Sequence, residues 1–202
     1  MLDGWMRGVI DPALARAGKR LAAQGVGADA VTLAGLALGL AAAGIIAVGG
    51  PGWAAALPLL ASRVADGLDG AVARVRGKTD FGGYLDIVCD FIFYAAIPMA
   101  FALRDPAANA VAGAFLLASF YVNGTTFLGF AILAEKRGME TRSRGEKSLY
   151  FTAGLLEGTE TIGFFVILCL FPSAFAPLAF AFGGLCFVTA AARVWLAVRT
   201  FR

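Results

Sequence analysis

Runs of about 18 or more mostly apolar residues, the length an α-helix needs to cross the hydrocarbon of a bilayer, recur along this chain and limit what it can fold into. They predict six spans, at Thr32–Gly50, Trp53–Ala73, Phe81–Leu103, Ala110–Leu133, Leu149–Phe171 and Pro177–Val198. The apolar residues do not alternate with period two over strand-length segments, so the spans read as helices. With 59% hydrophobic and 15% charged residues among 202, the composition lies outside the range of soluble globular domains. The expected class is an all-α integral membrane protein with six transmembrane helices. Ahead of them, Met1 to Ala28 mixes Trp5, Met6, Val9, Ile10, Leu14 and Leu21 with Arg7, Arg16, Lys19 and Arg20, which suits an N-terminal amphipathic helix lying in the membrane interface. Charges interrupt any signal-peptide core. One domain is expected over 1–202, with 1–28 as the interfacial helix and 32–198 as the six-helix bundle.

Lysine and arginine set the orientation, because short loops rich in them stay in the cytoplasm. Arg7, Arg16, Lys19 and Arg20 precede the first span; Arg74, Arg76 and Lys78 lie between the second and third; Lys136, Arg137, Arg142, Arg144 and Lys147 separate the fourth and fifth; Arg199 and Arg202 close the chain. The alternate loops hold only Arg104. Both termini are therefore expected in the cytoplasm. The net charge of +3 follows from topology and from proximity to anionic lipid, and gives no reason to expect a nucleic-acid partner. Cys89, Cys169 and Cys186 are scattered through apolar spans with no histidine in the chain to complete a zinc site, so they read as small core residues.

Against this background the stretch ADGLDGAVARVRGKTDFGGYLDIVCD, from Ala65 to Asp90, stands out. It places Asp66, Asp69, Asp86 and Asp90 inside apolar spans, where carboxylates are costly. The second and third spans form an antiparallel pair turning near Lys78. Asp69 lies nine residues before Lys78 and Asp86 eight after; Asp66 and Asp90 lie twelve before and twelve after. At 1.5 Å per residue the acids sit at matching depths, roughly 12–18 Å from the turn. The i, i+3 and i, i+4 spacings put each pair on one helix face, so four carboxylates converge if those faces meet. Repulsion and burial demand a compensating cation. Arg63 and Arg74 help, but an oxygen-only cluster suits a hard divalent ion, Mg²⁺, Mn²⁺ or Ca²⁺. Two such ions would balance the charge in the arrangement that clamps transferring phosphoryl groups. Gly67, Gly70, Gly82 and Gly83 clear space beside the acids, and Arg74 can offer a bidentate guanidinium to phosphate.

These residues resemble the signature of the CDP-alcohol phosphotransferases, D-x-x-D-G-x-x-A-R, seven or eight residues, then G-x-x-x-D-x-x-x-D. Here it reads Asp66, Asp69, Gly70, Ala73, Arg74, Gly82, Asp86 and Asp90, with no departure. "VTLAGLALGL" in the first span is similar to the family's T-L-x-G-x-x-x-G segment, and the chain as a whole resembles a bacterial inner-membrane branch. The resemblance implies metal-dependent transfer of a phosphatidyl-type group from a CDP-linked lipid, usually CDP-diacylglycerol, to an alcohol acceptor in phospholipid biosynthesis, with release of CMP. It implies Asp66, Asp69, Asp86 and Asp90 as metal ligands, Asp90 also as general base, and Gly70, Ala73, Arg74 and Gly82 lining the site of the CDP-lipid. It further implies a homodimer among membrane lipids, although Gly35-x-x-x-Gly39, which could pack helices, is too common a pattern to assign an interface.

The acceptor is less legible. Asn123, Thr125 and Thr126 in the fourth span and Glu157, Glu160 and Thr161 in the fifth are polar groups at apparent membrane depth, which need partners or a wet cavity. Lys136, Arg137, Arg144 and Lys147 could bind an acceptor phosphate at the cytoplasmic mouth, against the plain reading that they obey the positive-inside pattern. Intramembrane acids also mark transporters, so a cation-coupled transporter is the competing class. Its inverted repeat or paired broken helices are not evident. A structural subunit whose acids pair with Arg63 and Arg74 would leave acids over.

Overall fold

The computed structural model describes residues 3–139 and 158–202. Among the described residues the secondary structure is helical throughout: α1 (Asp3–Ala23), α2 (Ala28–Ala47), α3 (Gly52–Arg76), α4 (Asp80–Arg104), α5 (Pro106–Lys136), α6 (Gly158–Leu170), a 3₁₀ turn at Pro172–Ala174 and α7 (Phe175–Phe201). The first four predicted spans and the last are each found as a helix, with ends shifted by a few residues. The fifth is described from Gly158 onward, so its predicted start at Leu149 lies outside the described residues.

Local chemistry fixes the ends. Gly77 closes α3 at φ 102°, a conformation open to glycine and strained for other residues. Thr79 then caps α4, its hydroxyl accepting from the Gly82 amide at 3.0 Å. Asp105 caps α5 in the same way through the Ala108 amide, with Pro106 at the first helical position. Arg104 donates to the Gly50 carbonyl at 3.1 Å and so ties the α4 exit to the α2–α3 turn.

By length and composition, α2, α4, α5 and residues 172–201 can each cross a membrane. The 25 residues of α3 reach as far, and its apolar run is broken only by the charged residues of the candidate site and of its last turn. This is a multi-pass membrane protein.

The organising element is α2, which packs along both α3 and α4, whereas α3 and α4 meet chiefly through side chains. Glycine makes this possible. A Cβ on Gly35 would lie 3.1 Å from the Ala65 Cβ on α3, and one on Gly39 would lie 2.6 Å from the Phe93 ring on α4 and 3.1 Å from the Ser62 hydroxyl on α3. The Gly35/Gly39 pair therefore seats α2 between its neighbours inside the chain. Beyond it, Ile46, Leu59, Ile97, Phe101, Leu116, Phe165 and Phe175 close an apolar core in the half of the bundle away from the α3–α4 turn. Cys89, Cys169 and Cys186 are all buried. The acids lie in the other half. α1 docks on α3 where Gly18 meets Ala71 and Leu14 meets Gly67, and α5 pairs with α7.

Gly39→Ala, which presses a methyl into the Phe93 ring, is expected to destabilise the protein by about 1–3 kcal/mol. Gly44→Ala, on an exposed position of the same helix with open space around it, is expected to be neutral or slightly stabilising. Thermal unfolding of the two variants in one detergent checks the difference.

Candidate active site

The registers of α3 and α4 bring Asp66, Asp86 and Asp90 together: each offers a carboxylate oxygen within 4.8 Å of those of the other two. All three are half-buried. Asp69 neighbours this trio, close enough for its charge to bear on Asp86, and has a partner of its own besides. Three residues turn a helix by about 300°, so Asp69 points some 60° away from Asp66 around α3, which also brings it within reach of α2. There its Oδ2 accepts from the Thr32 hydroxyl at 2.6 Å, with the Ala28 carbonyl 3.1 Å from the same hydroxyl. The four acids thus comprise three half-buried carboxylates within reach of one another and a buried fourth held from α2.

Arg63, one turn before Asp66, supplies the positive charge. Its Nη1 donates to Asp90 Oδ1 at 2.7 Å and lies 3.5 Å from Asp66 Oδ1, while Nη2 donates to the Ser62 hydroxyl at 3.1 Å. The guanidinium rests on the Phe93 ring, 3.8 Å from its centroid, with the Tyr94 ring 5.9 Å away. Three carboxylates against one guanidinium leave two formal negative charges, and a half-buried cluster of that sign attracts a cation.

The remaining signature residues flank the acids. A Cβ on Gly70 would lie 3.5 Å from Arg74 Nη1, so the exposed Arg74 side chain folds back over the glycine. Ala73, half-buried, continues that face toward the turn. At Gly82 a Cβ would lie 2.9 Å from the capping Thr79 hydroxyl and 3.2 Å from Asp29 Oδ1, so the small residue keeps the α4 start open beside α2. An all-oxygen donor set in a chain without histidine fits a hard divalent ion such as Mg²⁺, Mn²⁺ or Ca²⁺, and disfavours metals that prefer imidazole or thiolate.

Of the expected acceptor residues, Lys136, Arg137 and Glu160 are among the described residues. Arg137 donates to the Thr200 and Phe201 carbonyls at 3.3 and 2.6 Å and rests 5.2 Å from the Phe201 ring centroid, closing the open end of α7. Lys136 sits in the last turn of α5, and Glu160 is half-buried in the first turn of α6. Arg144, Lys147 and Glu157 lie outside the described residues. Of the polar groups in α5, Thr125 donates to the Tyr121 carbonyl, whereas Asn123 and Thr126 surround a residue that sequence reasoning passed over. Arg193 on α7 directs Nη1 at the Asn123 carbonyl, the Asn123 side-chain oxygen and the Thr126 hydroxyl, each at 2.9 Å. An arginine inside an apolar span was the available signal.

Comparison with known proteins fits this geometry. The family model described as CDP-alcohol phosphatidyltransferase matches residues 26–198. The inner membrane protein YnjF of Escherichia coli (strain K12) is 45% identical over 204 residues, covering 100% of this chain and 98% of that protein. A crystal structure of Mycobacterium tuberculosis phosphatidylinositol phosphate synthase with CDP-DAG bound has a TM-score of 0.70 at 22% identity, over 90% of this chain and 91% of the synthase. The same synthase in complex with manganese and citrate gives 0.69 at 24%, over 90% and 87%. At those identities the likeness bears on the fold. The match of the family model, which runs from just before α2 into α7 and takes in every signature residue, makes the chain a member of the CDP-alcohol phosphatidyltransferase family.

Proposed function

We propose that this transferase moves a phosphatidyl-type group from CDP-diacylglycerol to a polar alcohol and releases CMP, within one catalytic domain spanning 1–202. The reading rests on one observation above all, the convergence of Asp66, Asp86 and Asp90 from two helices at the edge of an apolar bundle. A divalent ion held there, Mg²⁺ or Mn²⁺, would neutralise the diphosphate and make CMP a better leaving group.

The protein's own groups do the rest. Asp66, Asp86 and Asp90 supply the ligand oxygens, and Asp69, held by Thr32, is the fourth carboxylate of the set. Gly70, Ala73, Arg74 and Gly82 line the nucleotide and diphosphate side, where Arg74 can fork two phosphate oxygens. Asp90 accepts the proton of the acceptor hydroxyl. The acceptor oxygen bonds to the phosphorus that carries the lipid, the bond from that phosphorus to the bridging oxygen breaks, and CMP departs with the bonding electrons. No covalent enzyme intermediate is required. That the mycobacterial synthase of the same fold was crystallised with CDP-DAG and with manganese supports the choice of donor and ion.

The cationic ends of α3, α5 and α7 support an active site and both termini on the cytoplasmic side of the inner membrane. For the acceptor, Lys136 and Glu160 remain candidates together with Arg144, Lys147 and Glu157, whereas Arg137 is engaged at the end of α7. A homodimer would use a surface other than Gly35 and Gly39, which are occupied within the chain.

Purified protein in nanodiscs, given CDP-diacylglycerol and a panel of polar alcohols, is expected to release CMP only with Mg²⁺ or Mn²⁺ present. Chelation should abolish the signal and re-addition of metal restore it. With the productive acceptor, Asp90→Asn is expected to lower turnover by about 10²–10⁴-fold, and turnover near wild type would remove Asp90 from the role of base. Thr32→Val, which takes away the hydroxyl orienting Asp69, is expected to raise the metal concentration for half-maximal activity about tenfold. A metal titration of activity reads this directly.

A further inference from the structure

We infer that Arg63 is a positioning residue of this site, an internal guanidinium that fixes the Asp90 carboxylate and competes with a divalent cation for it. Arg63 precedes the signature, whose first specified position is Asp66, so the pattern assigns it nothing. Three observations single it out from an ordinary membrane ion pair. Its Nη1 is shared between Asp90 Oδ1 at 2.7 Å and Asp66 Oδ1 at 3.5 Å, both members of the carboxylate trio. Its side chain is only 9% exposed although the partners are 33% and 36% exposed, so the cation approaches the acids from the protein side and leaves part of each carboxylate open. Its Nε is buried and, among the described residues, meets no acceptor in hydrogen-bonding geometry, a cost that satisfying the guanidinium alone would not impose.

The seat of the guanidinium is rigid. It lies 3.8 Å over the Phe93 ring, which Gly39 of α2 backs closely, while Ser62 accepts from Nη2 at 3.1 Å. A chain of contacts therefore runs from α2 through Phe93 and Arg63 to Asp90, fixing the rotamer of the residue proposed as ligand and base. A planar cation with forked donors can rest on a ring and meet a carboxylate at its edge together; an ammonium cannot. Because that charge sits on a carboxylate that would also hold a metal ion, the two cations would repel one another.

The inference rests on Asp90 serving as ligand and base, and the experiment separates the two ideas. Mn²⁺ binding to full-length protein in nanodiscs is measured from the electron paramagnetic resonance of free Mn²⁺, without lipid substrate, alongside CMP release. Arg63→Gln is expected to bind Mn²⁺ about threefold or more tightly, since a competing charge is gone. Its kcat should nevertheless fall about tenfold or more, with KM for the CDP-lipid within about twofold of wild type. Arg63→Lys keeps the charge and loses the fork: Mn²⁺ affinity should stay within about twofold of wild type while kcat still falls about tenfold. Mn²⁺ affinity that is unchanged or weaker in Arg63→Gln, or kcat at wild-type level in either variant, overturns the inference. If Arg63→Gln does not yield folded protein, Arg63→Lys decides alone, by loss of kcat at retained Mn²⁺ affinity or by retention of both. Wild-type protein that releases no CMP with any metal or acceptor instead counts against the functional reading and leaves the Mn²⁺ measurement standing.

Discussion

Charge compensation at membrane depth is the constraint on which the rest of this structure depends. Three carboxylates within reach of one another inside an apolar bundle would repel and lose hydration unless something offsets them. The chain answers with Arg63 on the protein side, with the Thr32 hydroxyl on Asp69, and with a set of carboxylate oxygens that a hard cation would complete. Each answer is supplied from a different direction, so the geometry of α2, α3 and α4 is fixed by electrostatics as much as by packing.

The scaffold follows from that demand. Two helices carrying acids on facing sides gain little from close backbone contact, and here α3 and α4 are held at a working distance by α2. Glycine at 35 and 39 lets α2 sit deep enough to touch both. The aromatic core in the opposite half, with Phe101 stacked on Phe175, anchors the far ends so that the acid-bearing ends keep their register, and Phe93, edge to face with Phe165, joins that core to the seat of Arg63.

Much of this was legible in the sequence because it depends on spacing along single helices. Counting residues outward from Lys78 pairs Asp69 with Asp86 and Asp66 with Asp90 in depth, and of those four the structure joins Asp66, Asp86 and Asp90 in one cluster. The partner of Asp69 was not legible, since it requires knowing which way α2 turns Thr32, a residue 37 positions away. Arg137 read as a mouth residue because its loop is rich in cations, yet its partners are carbonyls 63 and 64 residues downstream. Arg193 escaped notice for the same reason: its three oxygen partners belong to α5. Properties set by one helix can be read from sequence, and properties set by the rotation of a second helix against it cannot.

The lengths of α5 and α7 carry a consequence of their own. At 1.5 Å per residue their 31 and 27 residues measure about 46 and 40 Å, well beyond the roughly 30 Å of a hydrocarbon layer. Excess of that size is absorbed by leaning or by protruding. Arg137 buckles the last turn of one rod to the final carbonyls of the other, so the two must lean or protrude as a unit.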